Sequence, residues 1–564
     1  MTRATAGGAI FARLKALGVS HVFCNSGTDF PPIIEGLAQA EAAGVDLPDA
    51  LVIPHEHVAM GMAHGHWLAS GRLQAVMLHT NVGLANGAIG AINAAQDQTP
   101  LIIMSGRTPT VEAGRFGART VPIGWGQEMR DQTALVREAT KWDYELRFPE
   151  QIEGLLDRGA AIAQSTPSGP VYLSLPREVL CEEIDLAGEA PGVRASVIAS
   201  ASGDANIEEA AALLAAAERP LIIAQRGPRD AAGWDALDRL ARDWATPVCD
   251  WWAVSNAIDQ THPSYVGADV APWLAEADAV LAIDALAPWS PDAHVTPPGQ
   301  KVVQLGPDPL MQRTPVRMFG ADVAVQTETG AGLVALEAAM RARLEGAADR
   351  IAMRRARVEP AAAAAREAAL AAAEIAPGAP MTKAFVSARI AAAIADRYAT
   401  VLSELGAPLA PLGLRRRGQW RQEPHAGGLG WSLPAAMGMK LAAPERLVVA
   451  TMGDGSYMFA NPVACHQVAE AYGVATLSII LNNAEWGAVR QSVAGVYPGG
   501  AASRANRMPL TSLAPSPDFA AIARASRLHA ERVDEAARLA PAIEEAIEIV
   551  DCGRSALLDV AIEG

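Results

Sequence analysis

The sequence predicts an α/β protein built from three doubly wound parallel-sheet domains. A chain of 564 residues, 50% of them hydrophobic, is too long for a single core and can pack about three domains of ordinary size. In its first third, helical and strand-like patterns alternate, which is typical of a parallel sheet covered by helices. The predicted domains cover 1–180, 190–345 and 381–564, and a linker covers 346–380.

The first domain has the clearest pattern. Its helices are predicted at 6–17, 30–43, 56–70 and 84–95, and its strands at 20–24, 50–53, 74–78, 100–105 and 170–175. Pro176 follows the last strand, and a polar, acidic stretch near 182–205 is predicted to link it to the next domain.

The second domain is predicted from helices 206–217 and 231–244 and strands 220–224, 278–284 and 300–305. Residues 346–376 are rich in Ala and Arg, whose high helix propensity predicts a linker helix ended by Pro377 and Gly378. The third domain begins near 381 and ends on the strand SALLDVAI.

Charge and composition exclude several classes of protein. The net charge of −16 argues against nucleic-acid binding, which needs clustered Lys and Arg. The triplet Arg415-Arg416-Arg417 is interpreted as a solvated loop, although contact with an anionic substrate stays open. Five scattered cysteines without a CxxC pair predict no disulfide framework. No apolar run is long enough to cross a bilayer and no signal peptide is recognised, so we expect a cytoplasmic, soluble protein.

The strongest functional signal is a strand, a glycine turn, a helix and a second strand that ends in two asparagines. The turn contains Gly453, Asp454, Gly455 and Ser456, and the second strand ends at Asn483. Glycines at such a turn let backbone N–H groups approach phosphate oxygens, and Asp454 offers a carboxylate to a hard cation. An ordinary crossover with polar loop ends is the structural alternative.

The candidate metal ligands are Asp454, Asn483 and Glu485. Mg²⁺ prefers about six oxygen ligands and commonly shares them with phosphates. One Asp, one Asn amide oxygen and a backbone carbonyl leave room for two diphosphate oxygens and a water.

At these motifs the chain resembles the thiamine diphosphate-dependent enzymes of the acetolactate synthase and benzoylformate decarboxylase type. Their cofactor motif is GDG followed, some twenty-five residues later, by NN, and the spacing here is slightly longer. The resemblance covers nearly the whole chain and implies pyrimidine-binding, central and diphosphate-binding domains, in that order. It also implies thiamine diphosphate and Mg²⁺ as cofactors.

Glu56 opens a predicted helix after a strand, in VIPHEHVAMGMAHGHW. The resemblance implies that this carboxyl group binds the cofactor's pyrimidine and activates it. A Glu at a helix N-terminus is also stabilised by the helix dipole, which is the structural alternative. A zinc site on a helix needs histidines three or four residues apart, but His55 and His57 are two apart. No HExxH motif and no nearby cysteine accompanies the histidines at 55, 57, 64 and 66, so we interpret them as structural.

His79 lies at the end of a strand and just before a helix, where α/β sheets place ligand contacts. Its surroundings are similar to the benzoylformate decarboxylase pattern, in which a histidine lies in the active site, whereas acetolactate synthases usually carry Gly-Pro-Gly. Imidazole can exchange a proton near neutral pH, as decarboxylation followed by protonation requires. A merely structural role is the alternative.

Thr28 lies in the turn after the first strand, at the family's position for a small polar residue that contacts the substrate carboxylate. Capping of the next helix by Thr28 or Asp29 is the structural alternative.

The loop Gly427-Gly428-Leu429-Gly430 resembles the family segment in which a bulky apolar side chain holds the cofactor bent, and Leu429 is the candidate. Glu404 matches an acidic position of the family. Gln225-Arg226-Gly227-Pro228 stands where flavin-containing relatives have a glycine turn, and no Arg-rich flavin strand follows, so bound FAD is not expected.

The preferred hypothesis is a thiamine diphosphate- and Mg²⁺-dependent 2-oxo acid decarboxylase or carboligase that resembles benzoylformate decarboxylase. Acetolactate synthase, a 2-hydroxyacyl-CoA lyase and a catalytically inert cofactor-binding paralogue are the alternatives. The resemblance implies a homodimer or homotetramer in which Glu56 and Asp454 of one site come from different subunits.

Overall fold

A computed structural model describes residues 3–185, 195–199, 205–505 and 507–563. These residues form three six-stranded sheets, in which every neighbouring pair of strands is parallel, and one antiparallel two-stranded sheet. The prediction of three doubly wound α/β domains is therefore confirmed. No helix in the described part of the chain is long and apolar enough to span a bilayer.

The first sheet has the strand order β3-β2-β4-β5-β7-β6, and β1 pairs with β8 beside it. Its elements are β1 (Arg3–Thr5), α1 (Ala6–Ala16), β2 (His21–Cys24), α2 (Pro31–Ala42), β3 (Asp49–Val52), α3 (Glu56–Ser70), β4 (Gln74–Leu78), α4 (Thr80–Gln96), β5 (Leu101–Arg107), α5 (Ile123–Gly126), β6 (Asp143–Glu145), α6 (Ile152–Gln164), β7 (Val171–Pro176), α7 (Arg177–Leu180) and β8 (Glu183–Asp185).

The second sheet has the order β11-β10-β9-β12-β13-β14 and carries the long helix α12 after it. Its elements are α8 (Ala205–Ala216), β9 (Pro220–Ala224), α9 (Ala231–Asp243), β10 (Val248–Cys249), β11 (Tyr265–Gly267), α10 (Ala271–Leu274), β12 (Ala279–Ile283), β13 (Lys301–Gly306), β14 (Val323–Gln326), α11 (Thr329–Arg341) and α12 (Ala348–Ala371).

The third sheet has the order β16-β15-β17-β18-β20-β19. Its elements are α13 (Lys383–Ile394), β15 (Ala399–Glu404), β16 (Trp420–Gln422), α14 (Ser432–Ala442), β17 (Leu447–Gly453), α15 (Asp454–Phe459), α16 (Pro462–Ala471), β18 (Leu477–Asn482), α17 (Gly487–Val496), α18 (Phe519–Ala525), β19 (His529–Val533), α19 (Ala536–Asp551) and β20 (Ala556–Ala561).

The first and third sheets share one topology. In each, the second strand in sequence lies at one edge, the first, third and fourth follow, and the last two are exchanged at the other edge. Because the strands within each sheet are parallel, their carboxyl ends all lie at the same end of the sheet, where α/β proteins bind ligands.

Three boundaries differ from the sequence prediction, and the first is that of the linker helix, which ends at Ala371, before the predicted stop at Pro377. The helix predicted at 84–95 begins earlier, at Thr80, because His79 takes the extended N-cap conformation directly after β4. The linker predicted at 182–205 begins with β8, and its parts at 186–194 and 200–204 lie outside the described residues.

The first and third domains meet where α3 crosses α14 at backbone contact. A Cβ added to Gly65 would lie 1.8 Å from the carbonyl oxygen of Ala435, and one added to Gly438 would lie 1.8 Å from that of Met62. One hydrophobic cluster, which includes Met60 and Trp431, continues through this crossing. Glycine is therefore required here for close approach of two helices.

Asp97, at the end of α4, joins all three domains. Its carboxylate accepts hydrogen bonds from His64 Nε2 (2.9 Å) and Arg226 Nε (3.2 Å), and its carbonyl accepts one from Arg229 (2.7 Å). His64 Nδ1 in turn accepts a bond of 3.2 Å from the indole of Trp431. Although burial works against it, the charges of Arg229, His64 and Arg226 hold the pKa of Asp97 below its usual range.

We predict that Gly65→Ala lowers the stability of the folded chain by about 1–3 kcal/mol, because the new methyl group must displace helix backbone. Differential scanning calorimetry measures the loss. Gly154→Ala is the matched control in helix α6, because a Cβ there meets nothing within 4 Å. An equal effect of both substitutions would contradict the backbone contact between α3 and α14.

Candidate active site

Glu56 is the first residue of α3 and its side chain is buried beside α4. Its Oε2 accepts a hydrogen bond of 3.1 Å from the amide of Asn86. Gly83 lies one turn earlier on α4, and a Cβ there would come within 2.8 Å of Glu56 Oε1. The two helices therefore hold the carboxyl group in one place, and glycine at position 83 leaves the space that it occupies.

His79 directly follows β4 as the N-cap of α4 and is held by Asp29 from the neighbouring turn. Its Nδ1 bonds to Asp29 Oδ1, and the second oxygen of Asp29 accepts a long bond of 3.4 Å from the backbone N–H of Thr80. The hydrogen bond to Asp29 raises the pKa of His79 above its ordinary value, although partial burial works against it. A Cβ on Gly27 would lie 2.1 Å from Nδ1, so glycine is required at that position for this pairing.

The other ring nitrogen of His79 faces Gln127. Nε2 lies 3.2 Å from the amide nitrogen of Gln127, which can donate to a neutral imidazole. Rotation of this amide exchanges its donor for its acceptor, so Gln127 can serve either protonation state of His79.

Thr28 is exposed at the mouth of a cavity of about 340 Å³ at the carboxyl end of the first sheet. The cavity adjoins His79, because Asp29, Thr80 and Gln127 also line it. The helix that follows, α2, has Phe30 as its N-cap without a side-chain hydrogen bond, so Thr28 and Asp29 do not cap it. The capping alternative is therefore wrong.

The Gly427–Gly430 loop precedes α14 and contacts the first domain. His57 Nε2 lies 3.1 Å from the carbonyl oxygen of Gly430, and Asn93 donates to that of Gly428 at 2.8 Å. Gly427 has φ of +66° and Leu429 is half-buried. Within one chain the residue after Glu56 thus already contacts this loop, and the implied sharing of a site between subunits stays a prediction.

Glu404 fixes the loop from the third domain. Its carboxylate accepts hydrogen bonds from the backbone N–H groups of Gly430 (2.5 Å) and Ser432 (2.7 Å). Burial raises the pKa of Glu404 above its ordinary value, and the backbone and Ser456 hydrogen bonds oppose that shift. The carboxyl group of Glu404 therefore holds both the Gly427–Gly430 loop and the turn that contains Ser456.

Asp454 begins α15 at the end of β17, after Gly453 as N-cap. Its Oδ1 accepts from the backbone N–H of Gly455 at 2.9 Å, while its buried Oδ2 has no hydrogen-bond partner among the described residues. A buried, unsatisfied carboxylate oxygen is costly, and a bound cation would satisfy it. A Cβ on Gly455 would lie 2.2 Å from the ring of Trp486, which explains glycine there.

Asn482 and Asn483 have different roles. Asn482 is a structural residue that donates to Asp559 at 3.0 Å, whereas the Oδ1 of the half-buried Asn483 accepts a local hydrogen bond of 3.2 Å from the backbone N–H of Glu485. The Glu485 carboxylate pairs with Arg490 at 2.6 Å. As a metal ligand, Glu485 would therefore act through its backbone carbonyl rather than its side chain.

The remaining candidates have structural partners. His55 caps α3 by accepting from the backbone N–H of His57. The side chains at 415–417 are exposed in a loop, where the backbone N–H groups of Arg415 and Arg416 bond to Gln419. Across the described ranges, no three His, Cys, Asp or Glu side chains come together as a metal site.

Asn86, Gln127 and Asp29 were not predicted from the sequence to act at the site, although the structure places them against Glu56 and His79. Gly83, Asn86 and Gly87 recur at helical spacing three and four on α4, which could have indicated a face turned toward Glu56. Nothing local indicates that Asp29, rather than the adjacent Thr28, meets His79.

The residues present fit thiamine diphosphate and a divalent cation. Asp454 offers an unsatisfied buried oxygen, Gly455 and Ser456 open a helix beside it, and Glu56 is a buried carboxyl group fixed by one amide. The unsatisfied oxygen of Asp454 and the buried carboxyl group of Glu56 are independent observations, since the two residues lie in different domains.

Family models of thiamine pyrophosphate enzymes match three segments of the chain. The N-terminal thiamine pyrophosphate binding domain matches 4–135, the central domain 207–336, and the C-terminal thiamine pyrophosphate binding domain 407–560. Together they cover most of the chain.

Curated relatives align over most of their length. A probable 2-ketoarginine decarboxylase of Pseudomonas aeruginosa is 29% identical over 535 residues, which cover 92% of this chain and 88% of the relative. Benzoylformate decarboxylase of the same species is 27% identical over 498 residues, 85% of each chain.

A solved structure shares the fold. The thiamine diphosphate-dependent 4-hydroxybenzoylformate decarboxylase of Rhodococcus jostii has a TM-score of 0.77 at 22% identity and covers 99% of both chains. With all three family models matched in order along the sequence, the chain belongs to the thiamine pyrophosphate enzymes.

Proposed function

We propose that the protein is a thiamine diphosphate- and Mg²⁺-dependent decarboxylase or carboligase of 2-oxo acids. The observation that carries this proposal is the pair of His79 and Asp29 beside a cavity. Loss of CO₂ must be followed by protonation or capture of the product carbon, and a fixed histidine can hold and deliver that proton.

Asp454, Asn483 and the backbone of Glu485 would hold the cation, and Gly455 with Ser456 would face the diphosphate. The Gly427–Gly430 loop and Leu429 would support the ring system. When bound, the cofactor supplies the nucleophilic carbon and the electron sink for decarboxylation.

The chain's own residues divide the remaining work. Glu56 presents a carboxyl group that Asn86 holds by a hydrogen bond and that would meet the cofactor's pyrimidine. His79 holds a proton at Nε2 while Asp29 fixes the ring through Nδ1, and Gln127 adjusts to either charge state. Thr28, at the mouth of the cavity, is the candidate contact for the substrate carboxylate.

Relatives suggest contrasting substrates. A 2-ketoarginine side chain is cationic, whereas that of benzoylformate is a neutral ring. Acetolactate synthase, 2-hydroxyacyl-CoA cleavage and an inert paralogue are the competing functions. Sharing of each site in a homodimer or homotetramer, a cytoplasmic location and the absence of FAD also stay predictions.

The direct test is CO₂ release from a panel of aliphatic, aromatic, acidic and basic 2-oxo acids, with and without an acceptor aldehyde. We expect cofactor-dependent turnover of at least one acid, and a loss of roughly 10²–10⁴-fold in Glu56→Gln if this group acts in proton transfer. Glu337→Gln, a buried carboxyl group of the central domain, is the control and should retain activity. Full activity of Glu56→Gln would refute the assigned role.

Asp454→Asn should weaken the cation site, because a neutral amide replaces the charged oxygen ligand. We expect the Mg²⁺- and thiamine diphosphate-dependent rise in melting temperature of the wild-type protein to become much smaller in this variant. Asp551→Asn, on the exposed end of α19, is the control and should keep the full rise. An undiminished rise in Asp454→Asn would place the cation elsewhere.

Asp29→Asn should lower the pKa of His79, because the carboxylate that stabilises its charged ring is removed. A group that must be protonated loses activity as the pH rises through its pKa. The alkaline limb of the kcat/KM profile should therefore move to lower pH, whereas Asp131→Asn, an exposed carboxyl group of the same domain, should leave it in place. An unchanged limb in Asp29→Asn would show that His79 is not the titrating acid.

A further inference from the structure

The cavity beside His79 carries three guanidinium groups, and its proposed use depends on their charge balance. Arg107, Arg119 and Arg177 all line it, together with apolar side chains of Val121 and Ile123. Its volume of about 340 Å³ is within the range of small-molecule sites.

Two glutamates, Glu128 and Glu145, face these three cations, and the lining also includes Asp29, which bonds to His79. Arg107 and Arg119 both donate to the same residue, Glu128, and Arg107 also donates to Glu145 at 3.0 Å. Arg107 Nε is buried and has no hydrogen-bond partner within the described ranges. Glu128 and Glu145 together match the charges of Arg107 and Arg119, so Arg177 is the cation of this lining that no carboxylate among the described residues binds, and an anion could use its positive charge.

Within the described residues, the hydrogen bonds that Arg177 donates all go to backbone carbonyl oxygens. Its Nε donates to the carbonyl of Gly117 at 3.0 Å, and its terminal nitrogens donate to those of Thr28 (3.3 Å) and Ala118 (2.5 Å). These carbonyls fix the guanidinium beside Thr28 without neutralising it. Two of its five N–H donors are left for another acceptor.

We propose that this cavity binds the side chain of the substrate, and that the side chain is a short aliphatic chain ending in a second carboxylate. The inference rests on the proposed function and specifies its substrate class as 2-oxo dicarboxylic acids. The apolar walls at Val121 and Ile123 suit the methylene groups, and the guanidinium groups suit the terminal carboxylate, which they can bind through paired N–H donors. A cationic side chain would be repelled.

The position of the cavity beside His79 also agrees with binding of the substrate side chain. Thr28, Asp29 and Gln127 line the same cavity and adjoin His79, so a bound side chain would extend away from the proton-donating histidine. The cavity lies outside the carboxyl ends of the strands that precede these residues, which is the ordinary ligand position in such a sheet.

The experiment compares 2-oxoadipate with 2-oxohexanoate, which has the same carbon chain but a methyl group in place of the distal carboxylate. We expect a higher kcat/KM for 2-oxoadipate by roughly ten- to a hundred-fold, the usual effect of a charge-assisted hydrogen bond. Arg119→Met should remove most of this preference while sparing 2-oxohexanoate, and Arg119→Lys should restore part of it.

Arg115→Met is the matched control, because Arg115 belongs to the same segment but pairs with Glu182 and does not line the cavity. It should keep the wild-type preference. Equal loss toward both substrates in Arg119→Met would show a structural role and overturn the proposal. A wild-type preference for 2-oxohexanoate would do the same.

Calorimetric binding of glutarate, with butyrate as the neutral-ended comparison, separates this inference from the proposed function. Glutarate should bind the wild-type protein more tightly than butyrate, and Arg119→Met should abolish the difference. If no 2-oxo acid is turned over but glutarate still binds in this way, only the decarboxylase assignment fails. If turnover occurs and glutarate shows no preference, only the dicarboxylate inference fails.

Discussion

The contact on which the site depends most is the crossing of α3 and α14. Backbone meets backbone at Gly65 and Gly438, so neither helix can slide without opening a gap in a densely packed interior. Glu56 lies at the first residue of α3, and the Gly427–Gly430 loop leads directly into α14. The crossing thus sets the position of the Glu56 carboxyl group relative to the loop that would support the cofactor.

The candidate site residues lie at the carboxyl ends of equivalent strands in two sheets that share one topology. The first sheet provides Asp29 and His79, while the third provides Asp454 after a matching strand. The charge environments of His79 and Asp454 differ. His79 is bonded to a carboxylate that favours its cationic form, and Asp454 keeps one buried oxygen that no described side chain satisfies. The first sheet therefore carries the pair proposed to move protons, and the third carries the carboxylate proposed to hold the cation.

Most of the fold was predictable because long helices and buried strands repeat with clear periods. Short strands such as β10 and β11, with two or three residues each, carry too little pattern to be recognised. Glu56, His79 and Asp454 could be chosen because each follows a strand at a turn and matches a motif of the family that the chain resembles. Their partners could not, since the bond between Asp29 and His79 joins residues fifty positions apart and depends on how two turns meet in space.

The sequence also could not indicate how charge is shared around the cavity. Arg107, Arg119 and Arg177 are separated along the chain by strands and loops, and any of them alone resembles a surface residue. Only the folded chain shows that two of them share Glu128, while the third is bonded to carbonyl groups.

Asp97 has a consequence for how the domains can be exchanged between proteins. The central domain supplies none of the proposed reacting groups, yet Arg226 bonds to Asp97, and Asp97 leads through His64 to Trp431, which follows the Gly427–Gly430 loop. A chimaera that imports a foreign central domain without an equivalent guanidinium would leave a buried carboxylate short of its counter-charge. The middle of this chain is therefore not an interchangeable module, and its evolution is tied to that of its neighbours.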